Sequence, residues 1–209
     1  MSVTAEPGLR ERKKAATRQA LHAAAVRLAI EHGADRVTVE AIADEAGVSR
    51  RTFSNYFAGK EQALLHGDHE RMRALVEVVR SRPLDEPPWQ ALTRAADEFY
   101  RGLGDVDPQW AAQVRLVRSQ PELAAEQVKT FAALERELGA EVARRRPPDA
   151  PAVGSRLMAA AFLASLRVSV TVWIEEPGGP GLAEVVRESL AELGRGFAVS
   201  GRSGPPAPE

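Results

Sequence analysis

The chain of 209 residues contains no cysteine. This excludes a disulfide framework, a thiolate metal site and a cysteine nucleophile, and it suits a reducing compartment. Aromatic residues are scarce at 5%, so a stretch that gathers several of them stands out. Lysine is scarce too, with 4 lysines and 24 arginines among the 28 basic residues. The first ten residues, MSVTAEPGLR, hold no apolar run; no secretory signal is expected, and a cytoplasmic location is. Strand signals are nearly absent, with no sustained period-2 alternation and no Asn-Gly or Asp-Gly turn. Catalytic signatures are missing as well. There is no G-x-S-x-G and no P-loop, and RGLGDVD at 101–107 lacks the third glycine and the preceding strand of a dinucleotide site. The expectation is a protein that is not an enzyme and uses no cofactor or metal.

One long apolar run is present. Residues 157–174, LMAAAFLASLRVSVTVWI, carry a single charge and reach the lower length limit for crossing a bilayer. Arg167 sits in the middle, where insertion costs roughly 2.5–3.5 kcal/mol, and the alanines and serines offset little of it. A helix covered on both sides is the expected reading, with no membrane partner.

Elsewhere apolar residues recur at helical spacing. Over residues 13–32 they fall at Leu21, Ala24, Ala25, Leu28 and Ala29, with Gly33 as a stop. A short helix fits 39–46, capped by Thr38 and ended by Gly47. Ser49 caps a third, which carries Phe53 and Phe57 one turn apart, and Ala58-Gly59 leads into a longer helix at 60–82. Pro83, Pro87 and Pro88 mark a boundary. Beyond it five more helical runs follow, punctuated by Pro121, by Pro147-Pro148 and by PGGPG. The expected architecture is all-α, about nine helices. It divides into an N-terminal arm without structure at 1–9, a three-helix helix-turn-helix head at 10–58 and a connecting helix at 59–82. A helical body for ligand binding and dimerisation at 83–199 and an unstructured tail at 200–209 complete it.

The aromatic gathering lies in SRRTFSNYFAGKE, residues 49–61. Three short helices with a glycine turn between the second and third match helix-turn-helix geometry, in which the last helix lays its start against base edges in the major groove. Ile42, Ala43, Val48, Phe53 and Phe57 can form a small core, while Arg50, Arg51, Thr52, Asn55 and Tyr56 cannot all point inward. Arginine can donate two parallel bonds to guanine, asparagine can pair with adenine, and the threonine methyl can pack on thymine. The Tyr56 hydroxyl, the Lys60 ammonium and the amides of the helix capped by Thr38 suit phosphate oxygens. RERKKAATR at 10–18 adds a basic arm. Residues 1–60 carry 10 Lys/Arg against 7 Asp/Glu, a net of +3, and the remainder 18 against 22, a net of −4. Charge is therefore consistent with nucleic-acid contact at one end.

Residues 13–65, through TVEAIADEAGVS, RRTFSNYF and GKEQALL, resemble the N-terminal domain of the TetR family of bacterial transcriptional regulators, of an actinobacterial type. The resemblance implies a homodimer built from the last two long helices, a palindromic double-stranded operator, and a body pocket for a small effector that controls DNA affinity, commonly as a repressor. It assigns Thr38, Ser49, Arg50, Arg51, Thr52, Asn55, Tyr56 and Lys60 to the DNA-facing side. Ser54 departs from the aromatic or basic residue that many relatives hold. Some members of this branch respond to acyl-CoA-like or other lipophilic ligands.

In the body, Phe99, Leu103, Trp110, Phe131, Met158, Phe162, Arg167 and Trp173 are the residues expected to line an apolar ligand site. Tyr100, Gln113, Arg115 and Ser165 are further polar candidates. Arg167, on a buried helix, needs a protein carboxylate or an anionic ligand as partner. Two rival readings remain. His66-Gly-Asp-His69-Glu70 places two histidines one turn apart, as a helical metal-dependent enzyme could use. A DNA-binding dimer with no ligand-sensing role is the other.

Overall fold

The computed structural model describes residues 8–104 and 108–199, with side chains up to 195. Most of the expected arm and all of the expected tail lie outside it. Among the described residues there are nine α-helices, one 3-10 turn and no strand. Two compact units divide the chain, Met1–Arg71 with Pro108–Lys129, and Met72–Asp107 with Thr130–Glu209.

The first unit opens with α1 (Leu9–His32), a 3-10 turn (Ala34–Arg36), α2 (Val39–Glu45) and α3 (Arg50–Ser54), then the start of α4 (Lys60–Ser81). α1 begins a turn earlier than its apolar residues suggest. Arg, Lys and Ala are all strong helix formers, so the basic arm is wound into the helix. Gly47 turns the chain from α2 to α3 at φ 66°, a left-handed conformation that glycine adopts without strain. α3 is shorter than expected: Tyr56 N–H bonds to the Phe53 carbonyl at 2.8 Å, a tighter closure that ends the helix. Phe57 lies beyond it yet stays buried, its ring 5.8 Å from that of Phe53.

The core of this unit joins Leu21, Ala25, Ile42, Phe53, Phe57, Leu64 and Leu65 to Val117 and Leu123, which come from α6 (Pro108–Ser119) and α7 (Pro121–Ala143). Segment 108–129, expected in the body, therefore packs with the helix-turn-helix. Gln113 is buried, and its side-chain amide donates to the Leu64 carbonyl at 2.7 Å. α1 and α4 approach closely at Gly67, where a Cβ would lie 2.5 Å from His22 Nε2.

The second unit holds the end of α4, α5 (Pro88–Gly102), most of α7, α8 (Ala152–Glu175) and α9 (Leu182–Val199). Pro88 opens α5 and Pro121 opens α7, positions where a missing N–H costs nothing. α8 packs on α9, and α9 on α5. α8 is long and apolar enough to cross a membrane by length and composition. One face, including Ala159, Phe162, Leu163, Leu166 and Ile174, is buried, whereas Val153, Leu157 and Val168 are exposed.

A buried carboxylate here is met by arginines that reach solvent. Glu141 accepts from Arg80 Nε and Arg144, each at 3.0 Å. Burial alone would raise its carboxyl, but the Arg80 hydrogen bond and the two guanidinium charges outweigh that and hold it below the usual range. Arg145, 1% exposed at its side chain, donates to the Val79 and Arg82 carbonyls at 2.9 Å and so closes the end of α4.

Candidate nucleic-acid interface

Each helix of the pair starts on a hydroxyl cap. Thr38 Oγ1 accepts from Ala41 N–H at 3.1 Å, and Ser49 Oγ accepts from Thr52 N–H at the same distance. A capping oxygen uses a lone pair, so the Thr38 proton remains available to a phosphate. The Ser49 and Thr52 hydroxyls, 2.9 Å apart, share one hydrogen bond, which leaves one proton of the two for an outside acceptor.

The displayed positions separate. Arg50 is well exposed and pairs with Glu40 at 2.8 Å, so α2 presets its direction. Glu40 was not anticipated; the two residues are ten apart in sequence and no helical spacing links them. Arg51 and Asn55 are exposed, Thr52 and Tyr56 half-buried. Lys60 differs from the other displayed residues: its ammonium donates to the Ala34 carbonyl at 2.9 Å and approaches that of Asp35 at 3.5 Å. It ties α4 to the 3-10 turn with two of its three protons.

An open groove of about 740 Å³ runs between α1 and α3. Thr52, Asn55 and Tyr56 form one wall; Arg10, Lys13, Lys14 and Thr17, with Leu9 and Glu11, form the other. The fold thus brings three of the reading residues together with the basic run 10–18. Four cations on or beside one groove, if Arg18 is included, make a surface that attracts polyanions. Nearby, His66 packs edge-on to Phe57 at 5.4 Å and to His22 at 5.8 Å. Burial, ahead of the neighbouring charges of His22, Arg18 and His69, pushes its pKa down to about 4 despite Glu70. His22 is also lowered, again chiefly by burial; its Nδ1 lies 2.8 Å from the Ala63 carbonyl.

The residues expected to line a ligand site differ in burial, and one of them belongs to the other unit. Phe99, Phe131, Met158 and Trp173 are half-buried and Phe162 is fully buried in the second unit, while Leu103 is exposed past the end of α5. Arg167 is exposed, not buried. It falls on the outer side of α8, so water removes the need for a buried counter-charge. Trp110 belongs to the first unit, as does Gln113, and hydrogen-bonds Asp68. A groove of about 500 Å³ in the second unit lies between α5 and α9, walled by Trp89, Arg94, Arg187 and Leu190 among others, and contains none of the eight.

Fold and groove define a helix-turn-helix DNA-binding protein with a helical body. Residues 21–66 match the family model described as bacterial regulatory proteins, tetR family. Residues 86–198 match the MftR C-terminal domain model. The chain belongs to the TetR family of bacterial regulatory proteins. It is 32% identical over 149 residues to the HTH-type transcriptional regulator TcmR of Streptomyces glaucescens, covering 68% of this chain and 66% of that one. Among solved structures it resembles FadR of Thermus thermophilus, a TetR-family transcriptional repressor in complex with lauroyl-CoA, with TM-score 0.56 and 25% identity over 92% of this chain and 99% of that chain. SmeT, repressor of a Stenotrophomonas maltophilia multidrug efflux pump, shares the fold with TM-score 0.60 and 20% identity, over 92% and 96% of the two chains.

Proposed function

We infer that the protein is a cytoplasmic, sequence-specific DNA-binding regulator that represses from a palindromic operator and is released by a small lipophilic effector. The observation that carries this reading is the groove in which Thr52, Asn55 and Tyr56 face the basic start of α1, with Arg51 exposed on the reading helix. Arg50, Arg51, Thr52 and Asn55 read base edges. Tyr56, the hydroxyls of Thr38 and Ser49 and the remaining Lys60 proton serve phosphates, which fix register without reading sequence.

A single head reads too few base pairs for a genomic address. A homodimer through α8 and α9 supplies two, spaced about one DNA turn, ~34 Å. The exposed stripe Val153, Leu157 and Val168 on α8 supports this, because a second copy covers apolar surface that one chain leaves in water. The effector reading draws support from the half-buried Phe99, Phe131, Met158 and Trp173 and from the lauroyl-CoA held by the Thermus relative. Release is a two-state process. The effector favours a body conformation whose heads fit the operator poorly, and affinity falls by its differential binding, typically about 1–3 kcal/mol. α4 and α7 each contribute residues to both units and are the covalent levers for that coupling.

The test is selection of bound fragments from the source genome by the wild-type protein and by Arg51→Ala. Wild type enriches a palindrome, and the variant loses about 1–3 kcal/mol at one position of each half-site. Equal enrichment of all fragments by both proteins refutes the reading.

A further inference from the structure

Arg18 is a half-buried cation beside the groove. It lies on α1, one turn beyond Lys14 and beside Thr17, both of which line the groove. Its guanidinium carbon is 5.9 Å from the centre of the Tyr56 ring and 5.8 Å from that of Phe57. Nε is buried and has no hydrogen-bond partner. Among the described residues no carboxylate pairs with it.

A charge withdrawn from water without a counter-charge costs stability, and an unmade hydrogen bond at Nε adds to the cost. Two aromatic faces return part of it. Local rules of this type are broken where function requires it. The two rings differ in how they are held. Phe57 is buried and backed by His66. Tyr56 follows the end of α3 and is only half-buried, packed against the edge of the core, so helical register does not set its ring, and the guanidinium flanks it on the α1 side.

We propose that Arg18 is a positioning residue for DNA binding: it holds the Tyr56 ring as a wall of the groove, aims the hydroxyl at a phosphate, and leaves its own unpaired charge beneath that phosphate. The proposal rests on the DNA-binding reading and extends it to a residue outside the reading helix. The cost in the free protein is recovered when the phosphate arrives as counter-charge. Stability and affinity therefore pull in opposite directions at this position.

The experiment uses the full chain, a duplex selected by the wild-type protein and a scrambled duplex, with dissociation constants at several salt concentrations and calorimetric melts. Arg18→Met weakens binding on the order of tenfold and lowers the salt slope by about 1, yet it melts no lower than wild type because the unmet Nε is gone. Arg18→Lys keeps charge without the plane and recovers only part of the affinity. Tyr56→Ala and Arg18→Met together cost less than the sum of the two, since one acts through the other. The proposal is overturned if Arg18→Met melts lower and binds normally once its unfolded fraction is allowed for, if the two changes add, or if lysine restores wild-type binding. A wild-type protein that does not prefer the selected duplex sinks the DNA reading itself, whatever the variants do.

Discussion

The indole nitrogen of Trp110 donates to Asp68 Oδ1 at 2.9 Å, joining α6 to the first half of α4. Arg71 completes the contact, with its guanidinium 2.5 Å from the same oxygen and 4.8 Å from the centre of the indole. With Gln113 on the Leu64 carbonyl, this bond makes α6 part of the unit that holds the reading helix.

Trp110→Phe keeps a ring under Arg71 and removes one hydrogen bond to a carboxylate. The expected loss is about 1.5 kcal/mol in urea unfolding. Asp68→Asn keeps an acceptor for the indole but not the charge, and the pair changed together is non-additive. Strict additivity would show that the bond does not couple the helices.

Gly67→Ala places a methyl group against His22, whose ring is anchored at Ala63 and has little room to yield. A cost of about 1–3 kcal/mol is expected, as for other overpacked cores. His22→Ala in the same chain should relieve most of it. A Gly67→Ala protein with the wild-type melting temperature would place the steric limit elsewhere.

Acid destabilises the helix-turn-helix unit through His66. Its folded pKa of about 4 lies below the ordinary histidine value of 6.5. The unfolded chain therefore binds a proton first as pH falls, and stability declines between about 6.5 and 4 before levelling. The contribution is fully present above the unfolded value. His66→Gln removes this part of the slope, and denaturant midpoints measured across pH 4 to 7 check it. A variant with an unchanged slope would assign the acid sensitivity to other groups.

Leu157→Glu introduces a charge into the exposed stripe of α8. With a dimer formed there, sedimentation shifts to the monomer at micromolar concentration while the far-ultraviolet spectrum stays helical. Operator binding falls with it, because two half-sites no longer act together. A dimer of undiminished affinity places the interface elsewhere.

Helix-turn-helix, caps and stops were legible in the chain because they are encoded over three or four residues. Thr38 and Ser49 cap helices, Gly47 turns, and Phe53 and Phe57 face inward as their spacing predicts. Less was legible where a side chain meets a distant segment. Lys60 reads as a displayed cation, and no local pattern shows that its ammonium also donates to the Ala34 carbonyl, 26 residues away. The Arg50–Glu40 pair lay hidden for the same reason.

What the sequence by itself determined is which stretches are helical, where they stop and which short helix carries displayed polar residues, since hydrogen bonding and hydrophobic period act locally. Only the tertiary structure decided which helix keeps company with which. Trp110 and Gln113 sort to the first unit, and Arg167 turns toward water, because an apolar face records that it must be covered without recording by what.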